Sequence, residues 1–578
     1  MPFNKYPSVS VNTESICLTG WFSIHEELVL AIKNRSARLI VIECYQGVFL
    51  DNILEFVRTH FPDAVLVESA QALKSEAEIR LLTHPDVTDD RIFGVMTQLE
   101  MSDLFDPSRV ASIRKSLSAN NNLTFVIGTG AAVLADSADL LLYCDMARWE
   151  IQLRMRRHEV ANIGLSNYDD SFETQYKRGY FLDWRLCDNL KKTLMPKWDY
   201  ILDTNDRAKP KMITAAMFNQ GMEQAVKQPF SVVPFFDPGP WGGQWMKEKF
   251  DLDPSVSNFA WCFNCVPEEN SLLLEFNGVK FEIPSLNLVF AKPQALLGRS
   301  VQKIFGDEFP IRFDFLDTIG GGNLSLQVHP LTEYIKKEFG MAYTQDESYY
   351  ILDATDDATV YLGLKENVDG EAMIRDLKKA QLNGHTFNAD KYAEQWPAKK
   401  HDHFLIPAGT VHCSAKGCMV LEISATPYIF TFKLWDWGRV GLDGKPRAIN
   451  IERGAEVIQW DRQPEWTRNN LINRIETLPV EGDWTEEQTG LHPLQFIETR
   501  RYWHSGTVTH QTNDGVHVLM IVEGEQALVE SPERLFEPFL VNYAEAFIIP
   551  ANVKEYAIRP AGLSEGKEIG VIKAYVRT

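Results

Sequence analysis

HFLIPAGTVH, residues 403–412, decides the fold: apolar strand residues lead into Pro407 and Gly409, which turn the chain, and His412 opens the next strand. It follows ESYYILDATDDATVYL (347–362), which reads as a strand, a tight turn and a second strand. The same order recurs, more faintly, as HVLMIVEGEQALVE (517–530) followed by AFIIPANVKEY (546–556). The repeat predicts two small β-barrels of antiparallel strands, each enclosing its own interior.

Upstream, VVPFFDPGPWGG (232–243) marks a change of character, and a domain boundary is expected near residue 228. Before it, RLIVIE (38–43), AVLVE (64–68), LTFVIG (123–128) and DLLLYCD (139–145) alternate with amphipathic stretches such as DNILEFVRTHF (51–61). That alternation predicts an α/β domain with a parallel sheet over residues 1–228. Residues 229–480 are expected to form the first, metal-binding barrel, and 481–578 a C-terminal barrel without a clear metal site. EAMIRDLKKAQLNG (371–384) and DKYAEQW (390–396) read as two short helices inserted near 366–400. The fold class is therefore multidomain: α/β followed by a mainly β double barrel of the cupin or jelly-roll type, with a small helical insertion.

A chain of 578 residues with 45% apolar and 11% aromatic residues has material for several cores. Its net charge of −21 opposes binding to nucleic acid or an anionic membrane. The first residues have no leader-like apolar core and no apolar run spans a bilayer, so a cytoplasmic location is expected. Eight scattered cysteines make a disulfide framework a poor reading, and the single CxxC, Cys262 to Cys265, is assigned to packing.

His412 has the P-x-G-x-x-H spacing that carries a histidine into a barrel, where it serves as a metal ligand or a buried hydrogen-bonding residue. Gln327 and His329, in LSLQVHP (324–330), lie two residues apart and share a strand face, while Glu347 begins the next strand. Neutral nitrogen and oxygen donors of this mixture suit one divalent ion, Zn²⁺ first, with Mn²⁺, Fe²⁺ and Co²⁺ open.

The order FPIRFDFLD (309–317), LSLQVHP, a Glu-led strand, IPAGTVH, VLEIS (420–424) and WDWGRVGLDGKPRAINIE (435–452) resembles the class I mannose-6-phosphate isomerases, cupin metalloenzymes. PWGGQW (240–245) and LLGRS (296–300) extend the likeness, which covers roughly residues 230–578. The resemblance implies Gln327, His329, Glu347 and His412 as metal ligands. It also implies interconversion of mannose 6-phosphate and fructose 6-phosphate through a cis-enediol, with a sugar phosphate as the partner molecule. Glu422, Arg439 and Lys433 are the catalytic candidates, and Ser325 and Arg447 the substrate-binding ones. Three of these have an alternative: Glu422 as a strand carboxylate satisfied by an arginine, and Arg439 and Arg447 as solvated loop residues.

Three positions depart from the family pattern, which carries Lys where Asp314 and Gln345 stand and Arg where Lys433 stands. Lys433 keeps the charge but not the guanidinium fork. These departures keep open isomerisation of another sugar, or a non-catalytic sugar-responsive regulator. In the second barrel His517 and Glu555 offer a ligand pair without a third member. The N-terminal domain faintly resembles a P-loop nucleoside kinase, yet Gly47 is followed by Val48 and Phe49 where that loop needs Lys and Ser or Thr, so the resemblance is to a degenerate one. Arg154, Arg156 and Arg157 read either as lid residues or as an exposed helix face. The assembly state, monomer or homo-oligomer, is open.

Overall fold

The apolar runs Leu39–Cys44, Val65–Glu68, Thr124–Gly128, Leu140–Asp145 and Tyr200–Asp203 pair side by side in parallel, as strands buried on both faces do. The computed structural model describes residues 2–383, 386–425, 430–440, 447, 449–490 and 492–578. It divides into two units, Ser8–Gln224 with Ser271–Ala291, and Met1–Pro7 with Ala225–Asn270 and Lys292–Thr578.

In the first unit the five parallel strands form a seven-stranded sheet with Lys211–Thr214 and Leu18–Thr19 added antiparallel at one edge. Helices Trp21–Arg35 and Leu50–His60 bury Ile24, Leu28, Ile53 and Val57 against Ile40, Ile42 and Phe125. The turn after Leu39–Cys44 passes through Gly47 at φ 96° and is closed by the protein's own arginine. Arg154 donates to the carbonyls of Gly47 at 2.8 Å, Thr204 at 3.1 Å and Asn205 at 3.0 Å, with its guanidinium over the Phe49 ring. It is 1% exposed, which corrects the exposed-face reading for this residue, while Arg157 is half-exposed on Glu150 and Glu159.

Two further corrections concern boundaries. The hairpin Ser271–Phe276 and Val279–Pro284 belongs with the first unit, because Ser8–Ser10 pairs in parallel with its first strand, and not with the metal-binding domain that a boundary near residue 228 predicts. DKYAEQW is not a helix but a 3₁₀ turn, Ala389–Lys391, and a strand, Ala393–Pro397, paired to Thr359–Leu364. So short an apolar–polar pattern fits either period, and tertiary pairing decides it. The preceding stretch is helical over Gly370–Asn383.

The second unit holds two antiparallel barrels, each of two sheets. In the first, one sheet runs His403–Ile406, Glu347–Ala354, Cys418–Ala425, Ile311–Asp317, Trp261–Cys265, Phe235–Asp237. The other runs Ala393–Pro397, Thr359–Leu364, His412–Ser414, Leu326–Val328, Phe432–Trp435. The second barrel has a six-stranded sheet centred on Ile497–His504 and Ile569–Val576, and a four-stranded sheet centred on Glu555–Pro560 and Gln526–Glu530. All eight cysteines are buried and free. No helix among the described residues is long and apolar enough to cross a membrane.

Candidate metal centre

Opposite sheets of the first barrel supply the two halves of the site. Gln327 and His412 face each other across an antiparallel pair in the five-stranded sheet, and Glu347 starts a central strand of the six-stranded one. Gly409, at φ 86°, makes the turn before His412, and its N–H donates to the His329 carbonyl at 2.9 Å, tying the two histidine segments together. A side chain at Gly409 would meet Gln459 Cγ at 2.7 Å and the Val457 carbonyl at 2.9 Å.

Both imidazoles are oriented through Nδ1. That of His412 lies 2.8 Å from the Thr410 carbonyl and that of His329 lies 3.3 Å from the Phe430 carbonyl. A carbonyl accepts only, so each Nδ1 carries the proton and each Nε2 presents a bare lone pair. These lone pairs face Glu347, with His329 Nε2 3.0 Å from Oε2 and His412 Nε2 2.9 Å from Oε1. Acceptors therefore confront acceptors in a place where all three side chains are fully buried, and His329 Nε2 and Glu347 Oε1 have no hydrogen-bond partner. A cation between them resolves the conflict. The three ligand atoms lie within 4.8 Å of one another, a spacing that suits ligands about 2.0–2.2 Å from one ion. Gln327 stands beside them, its amide 3.2 Å from His412 Nε2; turning the amide over presents Oε1 instead.

Around this set lie further carboxylates. Glu422 pairs in register with Asp314 on one side and Tyr349 on the other, and burial together with Glu347 and Asp314 pushes its carboxyl up. Gln345 donates to Glu347 at 2.8 Å and reaches Glu422 at 3.5 Å. Asp314, the departure from the family pattern, is buried and paired with the buried Arg312. Burial pushes Asp314 up to about 6, against the pull of Arg312. Tyr349, with a buried hydroxyl and its ring centroid 5.8 Å from that of His412, has no signal in the sequence beyond its place in the Glu-led strand.

The remaining candidates converge on a residue that sequence reasoning missed. Asp436 accepts from Ser325 Oγ at 2.8 Å and Arg439 at 2.6 Å, and lies 2.8 Å from Arg447. It is 4% exposed, while the side chains of Arg439 and Arg447 are half-buried. Its signal was its place inside WDWGR. Lys433, half-buried, sits opposite Gln327 in register. Residues 441–446 and 448 of the quoted motif lie outside the described residues. In the second barrel His517 and Glu555 do not meet: His517 Nδ1 contacts Tyr556 Oη at 2.8 Å, whereas Glu555, one residue earlier on that strand, takes Gln511 on the outside.

Known proteins resemble the two parts of the chain separately. Residues 20–227 match a domain of unknown function (DUF8485). The mannose-6-phosphate isomerase of Streptococcus mutans is 24% identical over 322 residues, 55% of this chain and 90% of the relative. Mannose-6-phosphate isomerase ManA of Bacillus subtilis is 23% identical over 351 residues, 60% of this chain and 98% of the relative. Among solved structures, the Bacillus subtilis mannose 6-phosphate isomerase aligns with a TM-score of 0.48 at 17% identity, covering 60% of this chain and 99% of its own.

Proposed function

We propose that this protein is a metal-dependent aldose–ketose isomerase that interconverts mannose 6-phosphate and fructose 6-phosphate through a cis-enediol. The observation that carries the reading is the buried confrontation of His329, Glu347 and His412, three acceptors aimed at one point. Relatives of about a quarter identity that share this part of the chain and are mannose-6-phosphate isomerases by name support it.

Gln327, His329, Glu347 and His412 would hold one divalent ion, zinc by the chemistry of the donor set. When bound, such an ion polarises the sugar oxygens and offsets the negative charge of the enediolate. Glu422 would carry the proton between carbons 1 and 2, since it stands in the same interior, where burial and the neighbouring Glu347 and Asp314 push its carboxyl up. Arg439 and Arg447, positioned by Asp436, would donate their free N–H groups to the phosphate, with Lys433 adding charge and Ser325 fixing Asp436.

A second reading changes the sugar. Asp314 places a carboxylate, with Arg312 as its counter-charge, where the resembling family has a cation, and this favours a substrate with a different pattern of charge. Elemental analysis coupled to an isomerase assay separates the readings. The wild-type chain is expected to carry about one ion and to convert mannose 6-phosphate, and His412→Ala to lose both. Turnover of another aldose alone selects the second reading; bound metal without turnover of any aldose contradicts both.

A further inference from the structure

The second barrel is built in two halves. At one end its inward positions are apolar, with Leu519, Ile521, Val529, Phe547, Ile558 and Val571 packed into a core. At the other end the same strands turn charged residues inward, around a cavity of about 460 Å³. Glu498 and Arg500 of Ile497–His504 and Lys573 and Tyr575 of Ile569–Val576 line it, with Glu486 beside them. A barrel that needs only stability fills that end with aliphatic side chains, because each buried charge costs free energy unless it is paired. A volume of roughly 300–1,000 Å³ with a few convergent polar groups is the usual form of a small-molecule site.

The charges are not equivalent. Arg500 stands between Glu498 and Glu486, which accept from its guanidinium, and Tyr575 and Tyr502 donate to the same two carboxylates. Lys573 faces Arg500 directly across the strand pair, a like-charged register that destabilises a sheet left to itself. Among the described residues its ammonium has no hydrogen bond or ion pair; it lies only over the rings of Tyr502 at 4.8 Å and Tyr575 at 5.5 Å. The side chain is nevertheless 8% exposed. His510 and His517 are held neutral by burial and add no charge. Burial likewise brings the Lys573 amine down to about 8, against the pull of Glu486 and Glu498. A metal does not fit, since Lys573 and Arg500 would repel it.

We infer that this cavity is a second ligand site, separate from the metal centre, that takes a small anionic polyol of the sugar-phosphate class. The anionic group pairs with Lys573, the hydroxyls donate to Glu486 and Glu498, and Tyr575 supplies an apolar wall. The inference stands on this barrel alone and not on the isomerase reading.

Calorimetric titration of the full chain and of its His412→Ala variant with glucose 6-phosphate, mannose and inorganic phosphate tests it. Glucose 6-phosphate is expected to bind both chains equally, and Lys573→Met to weaken it by roughly tenfold or more while metal content stays unchanged. Mannose and phosphate alone are expected to bind more weakly than the phosphorylated sugar. Should Lys573→Met fold poorly, acylation of lysines in the wild-type chain, read by mass spectrometry, gives the same answer: the sugar phosphate should protect Lys573. Unchanged affinity in Lys573→Met, loss of binding in His412→Ala, phosphate binding as tightly as the sugar phosphate, or an unprotected Lys573 would each overturn the inference.

Discussion

Asp436 gathers three side chains that look unrelated in sequence. One oxygen takes Ser325 and Arg439 and the other faces Arg447, so a single buried carboxylate sets the direction of two guanidinium groups. Replacing it by Asn keeps the shape and removes the charge. Asp436→Asn should raise KM for the sugar phosphate by roughly tenfold or more while leaving the metal content unchanged, as steady-state kinetics with elemental analysis would read. An unchanged KM would separate the two arginines from substrate binding. His412→Ala acts at the other end of the site, where it should remove both metal and turnover.

At the scale of elements, the turn Pro407–Thr410 carries the site. Gly409 has φ 86° and no room for a methyl group, so Gly409→Ala must shift either Gln459 or the backbone near Val457. The expected cost is on the order of 1–3 kcal/mol in denaturant unfolding, with a fall in metal content because His412 and His329 are joined through this turn. A variant with native stability and full metal would show that the turn does not position the ligands. In the first unit Glu43, next to last in the strand Leu39–Cys44, accepts from the N–H groups of Gly130 at 2.6 Å and Ala132 at 2.8 Å. Burial outweighs these bonds and pushes the carboxyl from an ordinary value of 4.5 up to about 8. The folded chain thus holds this proton more tightly than the unfolded one. Its contribution to stability is full below about pH 4.5 and is lost as pH rises to about 8. Denaturant midpoints of the wild type should fall across that window relative to Glu43→Gln; parallel curves would refute the shift.

For the whole molecule, what was legible in the sequence is what is local. The strand-turn-strand repeat and the two-residue spacing of Gln327 and His329 are each written within one short stretch of chain, so periodicity and turn chemistry expose them. What was hidden depends on distant partners. Asp436 becomes a hub only when Ser325 is brought to it, and the hairpin Ser271–Pro284 joins the first unit through Ser8–Ser10. Arg154 reads as a surface charge until the carbonyls of Gly47, Thr204 and Asn205 surround it. The charged end of the second barrel was equally invisible, because Lys573 and Tyr575 alternate with apolar residues as the outward positions of any half-buried strand do, and Glu498 and Arg500 sit in a run of polar residues.

X-ray absorption spectroscopy of the zinc-loaded full chain tests the central claim most directly. The account predicts a first shell of nitrogen and oxygen at about 2.0–2.2 Å, with the imidazole scattering of two histidines and no sulfur, and loss of that pattern in His412→Ala. A sulfur shell at about 2.3 Å, or an imidazole pattern unaffected by His412→Ala, would contradict it.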